Sequence, residues 1–229
     1  MRKTILLLKL TIVAATSRST RAFYDRVSPF YELLFTDHLP HVFAMADAVS
    51  ERFGTGHPIR VLDIACGTGV LSRRLTEKGF CVTGLDFSFK SLSHLAQTNR
   101  TIRLIQADAV ALPFDHGWFD VITCMGAWRH FPEPQRVLDE VHRVLRPGGA
   151  FLVGYFPPKL GGLFSVPPGP RGRMISGLYG LIMRALNYAD RTDQELERDA
   201  LRMIEQAFQK HRLIQSHKRE YLIFAESPR

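Results

Sequence analysis

The sequence predicts an α/β fold in which a parallel sheet carries helices on both of its faces. Two observations predict it. From residue 60 onward, short apolar runs of strand length alternate with segments whose apolar residues recur at helical spacing. The first strand ends in a glycine-bearing turn, residues 65–69, and helix-compatible sequence follows, as in a βαβ nucleotide-binding unit. With 229 residues and 45% apolar content, the chain can bury the core of a single domain.

The elements follow one another in an order that a parallel sheet with crossover helices requires. A helix is predicted over residues 23–53, because its apolar residues fall at helical spacing and the turn-forming residues 54–58 end it. The next predictions are strand 60–65, helix 69–78, strand 81–86, helix 88–97, strand 102–106, strand 119–124, helix 133–145 and strand 150–156. A charged helix near 192–211 and strands at 212–216 and 220–225 follow.

Proline and glycine interrupt this alternation after the strand at 150–156. Residues 157–170 are rich in both, and an apolar helical run follows at 173–188. Because insertions at this place in such a fold usually shape the substrate site, we interpret 157–190 as a lid. The predicted organisation is an N-terminal segment, 1–22, followed by one domain over 23–229.

The net charge of +8 is distributed unevenly along the chain. Residues 1–22 and 159–189 carry basic and apolar side chains and no acidic ones. This pattern predicts peripheral contact with an anionic membrane surface, although a cap helix with a solvated basic edge has the same composition. The N-terminal apolar run is shorter than the roughly 20 residues of a membrane span, and Lys9 interrupts it. We therefore interpret it as a retained segment rather than a secretory signal.

The three cysteines, Cys66, Cys81 and Cys124, show neither C-x-x-C spacing nor a plausible disulfide framework. A sparse, odd number of cysteines fits a reducing compartment. No group of His and Cys residues has the spacing of zinc ligands, so we predict no structural metal.

The glycine turn and a following acid predict an adenosine-containing cofactor. Gly67 and Gly69 allow a ligand to approach the backbone closely, and Asp86, at the end of the next strand, is placed to accept hydrogen bonds from ribose hydroxyls. A dinucleotide such as NAD is one alternative, with Ser72 in the third glycine position. Asp63 argues against it, because a carboxylate there would oppose a pyrophosphate but suits the ammonium and sulfonium of S-adenosylmethionine.

Residues 63–69, Asp-Ile-Ala-Cys-Gly-Thr-Gly, resemble the first motif of the class I S-adenosylmethionine-dependent methyltransferases. Segments at 106–114, 118–122 and 138–153 resemble the family's later motifs, in the right order. The opening segment at 24–31 is similar to that of the ubiquinone and menaquinone methyltransferase branch, where it folds over the cofactor. The resemblance implies a Rossmann-like, mostly parallel sheet of seven strands, with an antiparallel last strand and the lid insertion after strand 5.

The resemblance also implies cofactor contacts for the glycine turn. Gly67 and Gly69 would lie against the cofactor, and Asp63 would lie near the methionine ammonium, through its backbone or a water molecule. Ala65, where many relatives have glycine, belongs to the same turn. An ordinary strand-to-helix turn and a strand-end carboxylate with internal partners are the structural alternatives.

The adenosine end of the cofactor would lie beyond the next strands. In the family's pattern, Asp86 binds the ribose hydroxyls, and Phe87 packs on the adenine. Asp108 accepts from the adenine amino group while Ala109 supplies a backbone N–H, and Met125 lines the methionine arm. Core packing for Phe87 and Met125 and a loop-capping role for Asp108 are the alternatives.

The acceptor side follows the strand at 119–124, where this fold places its reaction. His130 is the candidate general base, because histidine titrates near neutral pH. Arg129 would anchor an anionic or oxygen-rich acceptor, and Tyr24 and Tyr31 would close the pocket from the N-terminal side. The alternatives are a structural role for His130, a surface charge for Arg129, and helix packing for the two tyrosines.

These observations predict a methyltransferase that acts on a small, lipophilic acceptor such as a quinone, phenol or lipid. The predicted location is the cytoplasm, with peripheral membrane contact. The lid composition motivates the lipophilic character, whereas the acceptor atom and the oligomeric state stay open. A nucleic-acid methyltransferase is an alternative encouraged by the pI of 9.7, but residues 124–127 lack the Asn/Asp-Pro-Pro-aromatic stretch of DNA amino-methylating enzymes. A non-catalytic binding or scaffold protein of the same fold is the other alternative.

Overall fold

The structure of the protein is a computed structural model. It describes the following parts of the chain: residues 13, 16–17, 19–30, 32, 39–54, 58–155, 193–208, 210–217 and 220–227. The described N-terminal part holds helix α1 (Thr20–Val27), a 3₁₀ turn (Ser28–Phe30) and helix α2 (Leu39–Phe53).

Strands and helices then alternate as the hydrophobic pattern predicts. Their bounds are β1 (Arg60–Ile64), α3 (Val70–Glu77), β2 (Cys81–Asp86), α4 (Phe89–Thr98), β3 (Arg103–Gln106), β4 (Phe119–Met125), a 3₁₀ turn (Trp128–His130), α5 (Pro134–Val144), β5 (Leu145–Tyr155), α6 (Asp193–Ala207), β6 (Lys210–His217) and β7 (Glu220–Glu226).

The seven strands form one sheet in the order β3-β2-β1-β4-β5-β7-β6. Strand β7 runs antiparallel to β5 and β6, while β1 to β5 pair in parallel. The predicted Rossmann-like sheet with an antiparallel last strand is therefore confirmed. The strand order reverses between β1 and β4, and ligands in such sheets bind beyond the carboxyl ends of the strands at this reversal.

Alternating side chains of the central strands build a core on each face of the sheet. On one face Leu62 and Ile122 pack with α5 and α6, whereas on the other Val61 and Val121 pack with α2, α3 and α4. These side chains have essentially no exposed surface. Because both faces of the central strands are covered, the strands read as continuous apolar runs in the sequence.

Several element boundaries differ from the predictions. Strand β5 begins at Leu145, five residues before the predicted start at 150. The single helix predicted over 23–53 is wrong, because α1 ends at Val27 and a 3₁₀ turn follows. Pro29 has no N–H with which to continue the α-helical hydrogen bonds. The charged helix near 192–211 ends earlier, at Ala207, and β6 starts at Lys210, where pairing with Glu226 holds the chain extended.

The proposed lid, 157–190, and Tyr31 lie outside the described residues, as does most of the N-terminal segment 1–22. The same is true of the basic, apolar segment 159–189. Among the residues that the structure describes, no helix is long and apolar enough to cross a membrane.

Candidate cofactor and acceptor site

The turn between β1 and α3 lies at the carboxyl end of the central strand. Gly67 adopts a φ of +56°, and no heavy atom lies within 4 Å of the position that a Cβ would take there. The backbone of Gly67 therefore faces open space, which fits the predicted close approach of a ligand. Thr68 beside it is buried.

Gly69 also has a role in packing, and its contact with a cofactor stays a prediction. It precedes the first residue of α3 with a φ of +81°, and a Cβ there would lie 2.4 Å from the methyl carbons of Leu95. Leu95 belongs to α4 and is fully buried. The missing side chain thus makes room for helix packing inside the protein.

We expect Gly69→Ala to reduce the free energy of unfolding by about 2–4 kcal/mol, because it adds a left-handed alanine and an overpacked core contact. Gly67→Ala is the matched control, since it shares the positive φ without the contact, and we expect it to cost only about 1–2 kcal/mol. Urea denaturation measures both. In a Leu95→Ala background, Gly69→Ala should lose most of its excess cost; an undiminished cost there would refute the packing explanation.

Ala65 is the one residue other than glycine with a positive φ in the described part of the chain, at +54°. This left-handed conformation costs roughly 1–2 kcal/mol for a residue with a Cβ. Hydrogen bonds hold the turn in place, from the N–H of Cys66 to the carbonyl of Leu85 at 3.0 Å and from the N–H of Gly69 to the carbonyl of Cys66 at 2.9 Å. The geometry explains why a glycine is suited to this position.

The Asp63 carboxylate is turned into the protein. Ser72 Oγ donates to its Oδ2 at 2.5 Å, and Thr123 Oγ1 donates to its Oδ1 at 2.8 Å, so Asp63 connects β1 to α3 and β4. Burial raises the pKa of Asp63 to about 6, while the hydroxyls of Ser72 and Thr123 lower it. This geometry favours the structural alternative for the side chain; a contact of the Asp63 backbone with the methionine ammonium stays a prediction.

The raised pKa of Asp63 makes the stability of the protein depend on pH. Between its ordinary value of 3.8 and about 6, the folded protein binds a proton that the unfolded chain releases. Its contribution is therefore most favourable below about pH 4 and is lost as pH rises to about 6, by about 2–3 kcal/mol in total.

We expect Asp63→Asn to remove this decline, because asparagine keeps an acceptor oxygen and cannot ionise. From pH 4 to pH 7, its free energy of unfolding should gain about 2–3 kcal/mol relative to the unmodified protein. Urea denaturation across this pH range measures the difference. Asp139→Asn, which removes an exposed acid on α5, is the control and should show no such gain. Parallel pH profiles for Asp63→Asn and the unmodified protein would contradict the prediction.

Asp86, at the end of β2, connects the glycine turn to the chain that follows β2. The N–H of Gly67 donates to its Oδ2 and the N–H of Ser88 to its Oδ1, both at 2.8 Å. Each carboxylate oxygen can accept a second hydrogen bond, so capacity for ribose hydroxyls remains. Burial raises the pKa of Asp86 and the nearby Asp25 raises it further, while the N–H donors of Ser88 and Gly67 lower it.

The chain after β3 lies beside the chain after β2. The N–H of Ala107 donates to the carbonyl of Asp86 at 3.3 Å, and the Gln106 side chain donates to the carbonyl of Phe87 at 3.2 Å. Asp108 is exposed, and its Oδ1 accepts from the N–H of Val110 at 3.2 Å. The structure thus brings Asp108 to the same edge of the sheet as Asp86. Its bond to Val110 is the loop cap given above as the alternative role, and its contact with the adenine stays a prediction.

Three other predicted cofactor residues lie near this edge of the sheet, and for Phe87 and Met125 core packing remains the alternative. Phe87 is partly buried beside Asp86, and the Ala109 side chain is buried next to Asp108. Met125 ends β4, where it is partly buried and packs against the core. Their contacts with a cofactor stay predictions.

Helix α1 places Tyr24 against the 3₁₀ turn (Trp128–His130) that follows β4. The Tyr24 hydroxyl lies 3.0 Å from His130 Nε2, and its ring is 6.4 Å from that of Phe87, measured between centroids. The structure therefore brings together two of the three predicted catalytic residues. The third, Arg129, has a side chain that lies outside the described atoms.

Sequence reasoning missed several residues whose hydrogen bonds hold the predicted site residues in position. Ser88 Oγ donates to Asp25 Oδ1 at 2.5 Å, and Arg73 donates to the carbonyl of Thr68 at 2.7 Å and to Glu32 at 2.9 Å. Asp25 follows Tyr24 in the segment that resembles the family's opening, which was the available signal. Nothing in the local pattern marks Ser88 or Arg73.

The cysteines near the site are not activated thiols. Burial raises the pKa of Cys66 and of Cys124 well above the ordinary value, and nearby carboxylates add to the shift. Both groups therefore stay protonated at neutral pH, which argues against a nucleophilic cysteine. Within the described residues, no group of three or more His, Cys, Asp or Glu side chains could hold a metal ion.

Residues 62–153 match the sequence model of a family described as a methyltransferase domain. The chain is 39% identical over 115 residues to a demethylmenaquinone methyltransferase of Thermus thermophilus, covering 48% of this chain and 52% of the relative. It is 35% identical over 175 residues to a demethylmenaquinone methyltransferase of Clavibacter sepedonicus, covering 72% and 64%. A ubiquinone biosynthesis O-methyltransferase of Psychrobacter cryohalolentis is 38% identical over 101 residues, covering 41% and 39%.

The chain thus matches between about two fifths and two thirds of the length of these curated relatives. Among solved structures, a protein of Pyrococcus horikoshii is similar with a TM-score of 0.63 and 21% identity, covering 90% of this chain and 98% of that one. A SAM-dependent methyltransferase of Aquifex aeolicus has a TM-score of 0.60 and 15% identity, covering 87% and 97%. At such identities the structures establish the fold. Residues 62–153 therefore match a methyltransferase domain, and over this range the resemblance to the class I S-adenosylmethionine-dependent methyltransferases is confirmed.

Proposed function

We propose that the protein is an S-adenosylmethionine-dependent methyltransferase that acts on a small, lipophilic acceptor of the quinone, phenol or lipid type. One observation carries the proposal: the N–H of Gly67 donates to Asp86 at 2.8 Å, at the reversal of the strand order. This bond unites the glycine turn and the ribose-binding acid into one site. The names of the relatives, demethylmenaquinone and ubiquinone methyltransferases, support the acceptor class.

The arrangement of Asp63 favours a methyl donor over a dinucleotide. Ser72, which would take the third glycine position of a dinucleotide fingerprint, is fully buried and donates to Asp63. A carboxylate buried beneath the start of α3 opposes a pyrophosphate at that helix terminus, where anions otherwise bind well. A cationic ligand meets no such opposition.

The residues around β4 can handle the proton of an acceptor. When bound, S-adenosylmethionine would supply a methyl carbon for in-line attack by the acceptor, with the thioether of S-adenosylhomocysteine as the leaving group. The chain has to align the acceptor and exclude water. Where the acceptor is a hydroxyl or an acidic carbon, it loses a proton as it bonds to the methyl carbon, and the Tyr24–His130 pair accepts that proton. Arg129, next to His130, would hold an oxygen-rich acceptor.

Calorimetric titration with S-adenosylmethionine, S-adenosylhomocysteine and NADH tests the proposal. We expect the two adenosyl ligands to bind and NADH to give no heat of binding. Transfer of label from methyl-labelled S-adenosylmethionine to quinones, phenols and lipid amines then identifies the acceptor class. Failure of both adenosyl ligands to bind would overturn the proposal. Binding without transfer to any small acceptor, or transfer to RNA or DNA, would favour the scaffold or nucleic-acid alternative.

We also propose a cytoplasmic location with peripheral membrane contact through residues 1–22 and 159–189. Their basic and apolar composition supports it, as does the lipophilic acceptor proposed above. We expect deletion of residues 1–16 to reduce co-sedimentation with vesicles that contain phosphatidylglycerol. Vesicles of phosphatidylcholine alone are the control, since they lack the negative charge. Undiminished binding to the anionic vesicles after the deletion would contradict an N-terminal anchor.

A further inference from the structure

Asp25 is joined to the glycine turn by an unbroken path of hydrogen bonds. Ser88 Oγ donates to Asp25 Oδ1 at 2.5 Å, although the two residues are 63 positions apart. The N–H of Ser88 donates to Asp86 Oδ1, and the N–H of Gly67 donates to Asp86 Oδ2, both at 2.8 Å. Ser88 is fully buried, and its N–H bond to Asp86 is shielded from water, while the Asp25 and Gly67 ends of the path are partly buried. Asp25 therefore contacts the group that holds Asp86 in place.

The neighbour of Asp25 on α1 reaches the acceptor side of the site. The Tyr24 hydroxyl lies 3.0 Å from His130 Nε2, and the two rings meet edge to face with centroids 5.5 Å apart. Helix α1 has only eight residues, and a helix of this length is unstable by itself. Its orientation therefore depends on its tertiary contacts, among which Asp25–Ser88 connects it to the residues beside the cofactor site.

A second bridge links the N-terminal residues to the glycine turn from the side of α3. The Arg73 guanidinium donates to the carbonyl of Thr68 at 2.7 Å and to Glu32 Oε1 at 2.9 Å. Thr68 lies between Gly67 and Gly69. The N-terminal residues are thus linked to the chain after β1 through Arg73 and to the chain after β2 through Asp25, and these are the two segments proposed to hold the cofactor.

We propose that Asp25 is a positioning residue that couples the cofactor site to the acceptor site. Through Ser88 it fixes Asp86 and the glycine turn, and through α1 it places Tyr24 against His130. The inference rests on the proposed function, because it assigns Asp86 to the cofactor. Coupling of this kind is reciprocal: a bound cofactor orders α1, and an ordered α1 strengthens cofactor binding.

Binding of S-adenosylhomocysteine to the full chain tests the coupling. We expect Asp25→Ala to raise the Kd by about tenfold, the effect of losing one charge-assisted hydrogen bond. Asp25→Asn should restore most of the affinity, because its amide oxygen still accepts from Ser88. Arg21→Ala is the matched control, since Arg21 is an exposed residue of the same helix, and should leave Kd unchanged.

A double-mutant cycle with Ser88→Ala separates this link from a second role of Ser88. Ser88 Oγ also accepts from the N–H of Ser91 and so caps α4. Only the coupling between the two substitutions reports on the Asp25–Ser88 bond, and we expect the double variant to bind no more weakly than Ser88→Ala. If Asp25→Ala does not fold, Asp25→Leu, which also lacks the acceptor oxygens, takes its place in the cycle.

Hydrogen exchange measures whether ligand binding protects the amides of α1, which a purely structural role of Asp25 would not affect. We expect S-adenosylhomocysteine to slow amide exchange over Thr20–Val27 in the unmodified protein and in Asp25→Asn, but not in Asp25→Ala. Equal Kd and equal ligand-induced protection in Asp25→Ala would overturn the inference while leaving the proposed function intact. If the unmodified protein does not bind S-adenosylhomocysteine, the proposed function fails and the inference fails with it.

Discussion

Asp86→Ala should weaken the binding of S-adenosylhomocysteine by about 2–4 kcal/mol, which is roughly 30- to 1,000-fold in Kd. The substitution removes the predicted acceptor for the ribose hydroxyls. It also removes the acceptor for the N–H groups of Gly67 and Ser88, so both segments around the ligand lose their anchor. Titration calorimetry below the unfolding temperature measures the change.

Asp120→Ala is the matched control for Asp86→Ala. Asp120 is a buried acid at the opposite end of the sheet, where it accepts from the N–H of Arg60 at 2.7 Å and pairs with Arg146 at 2.5 Å. Its loss should reduce the free energy of unfolding without changing the affinity for the ligand. If the two variants bind S-adenosylhomocysteine equally well, Asp86 does not contact the ribose.

His130→Ala should lower turnover by at least about 100-fold on an acceptor that must lose a proton, which is the usual contribution of a general base. Affinity for S-adenosylhomocysteine should change little, because His130 is assigned to the acceptor rather than to the cofactor. Tyr24→Phe removes only the hydroxyl that reaches His130 Nε2, and a smaller loss of turnover is expected. Label transfer from methyl-labelled S-adenosylmethionine measures both variants.

His142→Ala is the control that distinguishes catalysis from folding. His142 lies on α5, where its Nε2 is 2.6 Å from the carbonyl of Ala207 and its ring stacks on Phe208. Its loss should affect stability and leave turnover nearly unchanged. Full activity of His130→Ala would eliminate His130 as the base, and the Tyr24–His130 contact would then be structural.

The sequence predictions were accurate where local interactions determine the structure and less accurate where contacts between distant residues determine it. The positions of β1, α3 and β2 depend on local periodicity and on the glycine turn, so residues 60–86 could be predicted closely. The start of β6 was wrong, because its first residues have no strand pattern of their own. They are extended because Lys210 and His211 pair with Glu226 and Ala225 of β7.

The predicted cofactor residues also fall into those whose positions depend on local sequence and those that depend on contacts with distant residues. The strand and the turn fix the positions of Asp86 and Gly67 locally, and the structure joins the two residues directly. Their contact with a cofactor stays a prediction. Gly69 was predicted to allow ligand approach, which stays a prediction, and its φ and the proximity of Leu95 add a packing requirement. Asp63 was assigned to a ligand, yet its carboxylate is occupied by Ser72 and Thr123. None of these three contacts, with Leu95, Ser72 or Thr123, can be recognised in a linear pattern.

By itself, the sequence determined the α/β class, the order of the strands along the chain and the residues at the ends of β1 and β2. These features follow from side-chain periodicity and backbone conformation over a few residues. Only the tertiary structure decided that Tyr24 meets His130 and that Asp25 meets Ser88, pairs that are 106 and 63 positions apart. Such contacts arise when the reversal of strand order brings separate chain segments to one edge of the sheet, and no short-range pattern encodes that meeting.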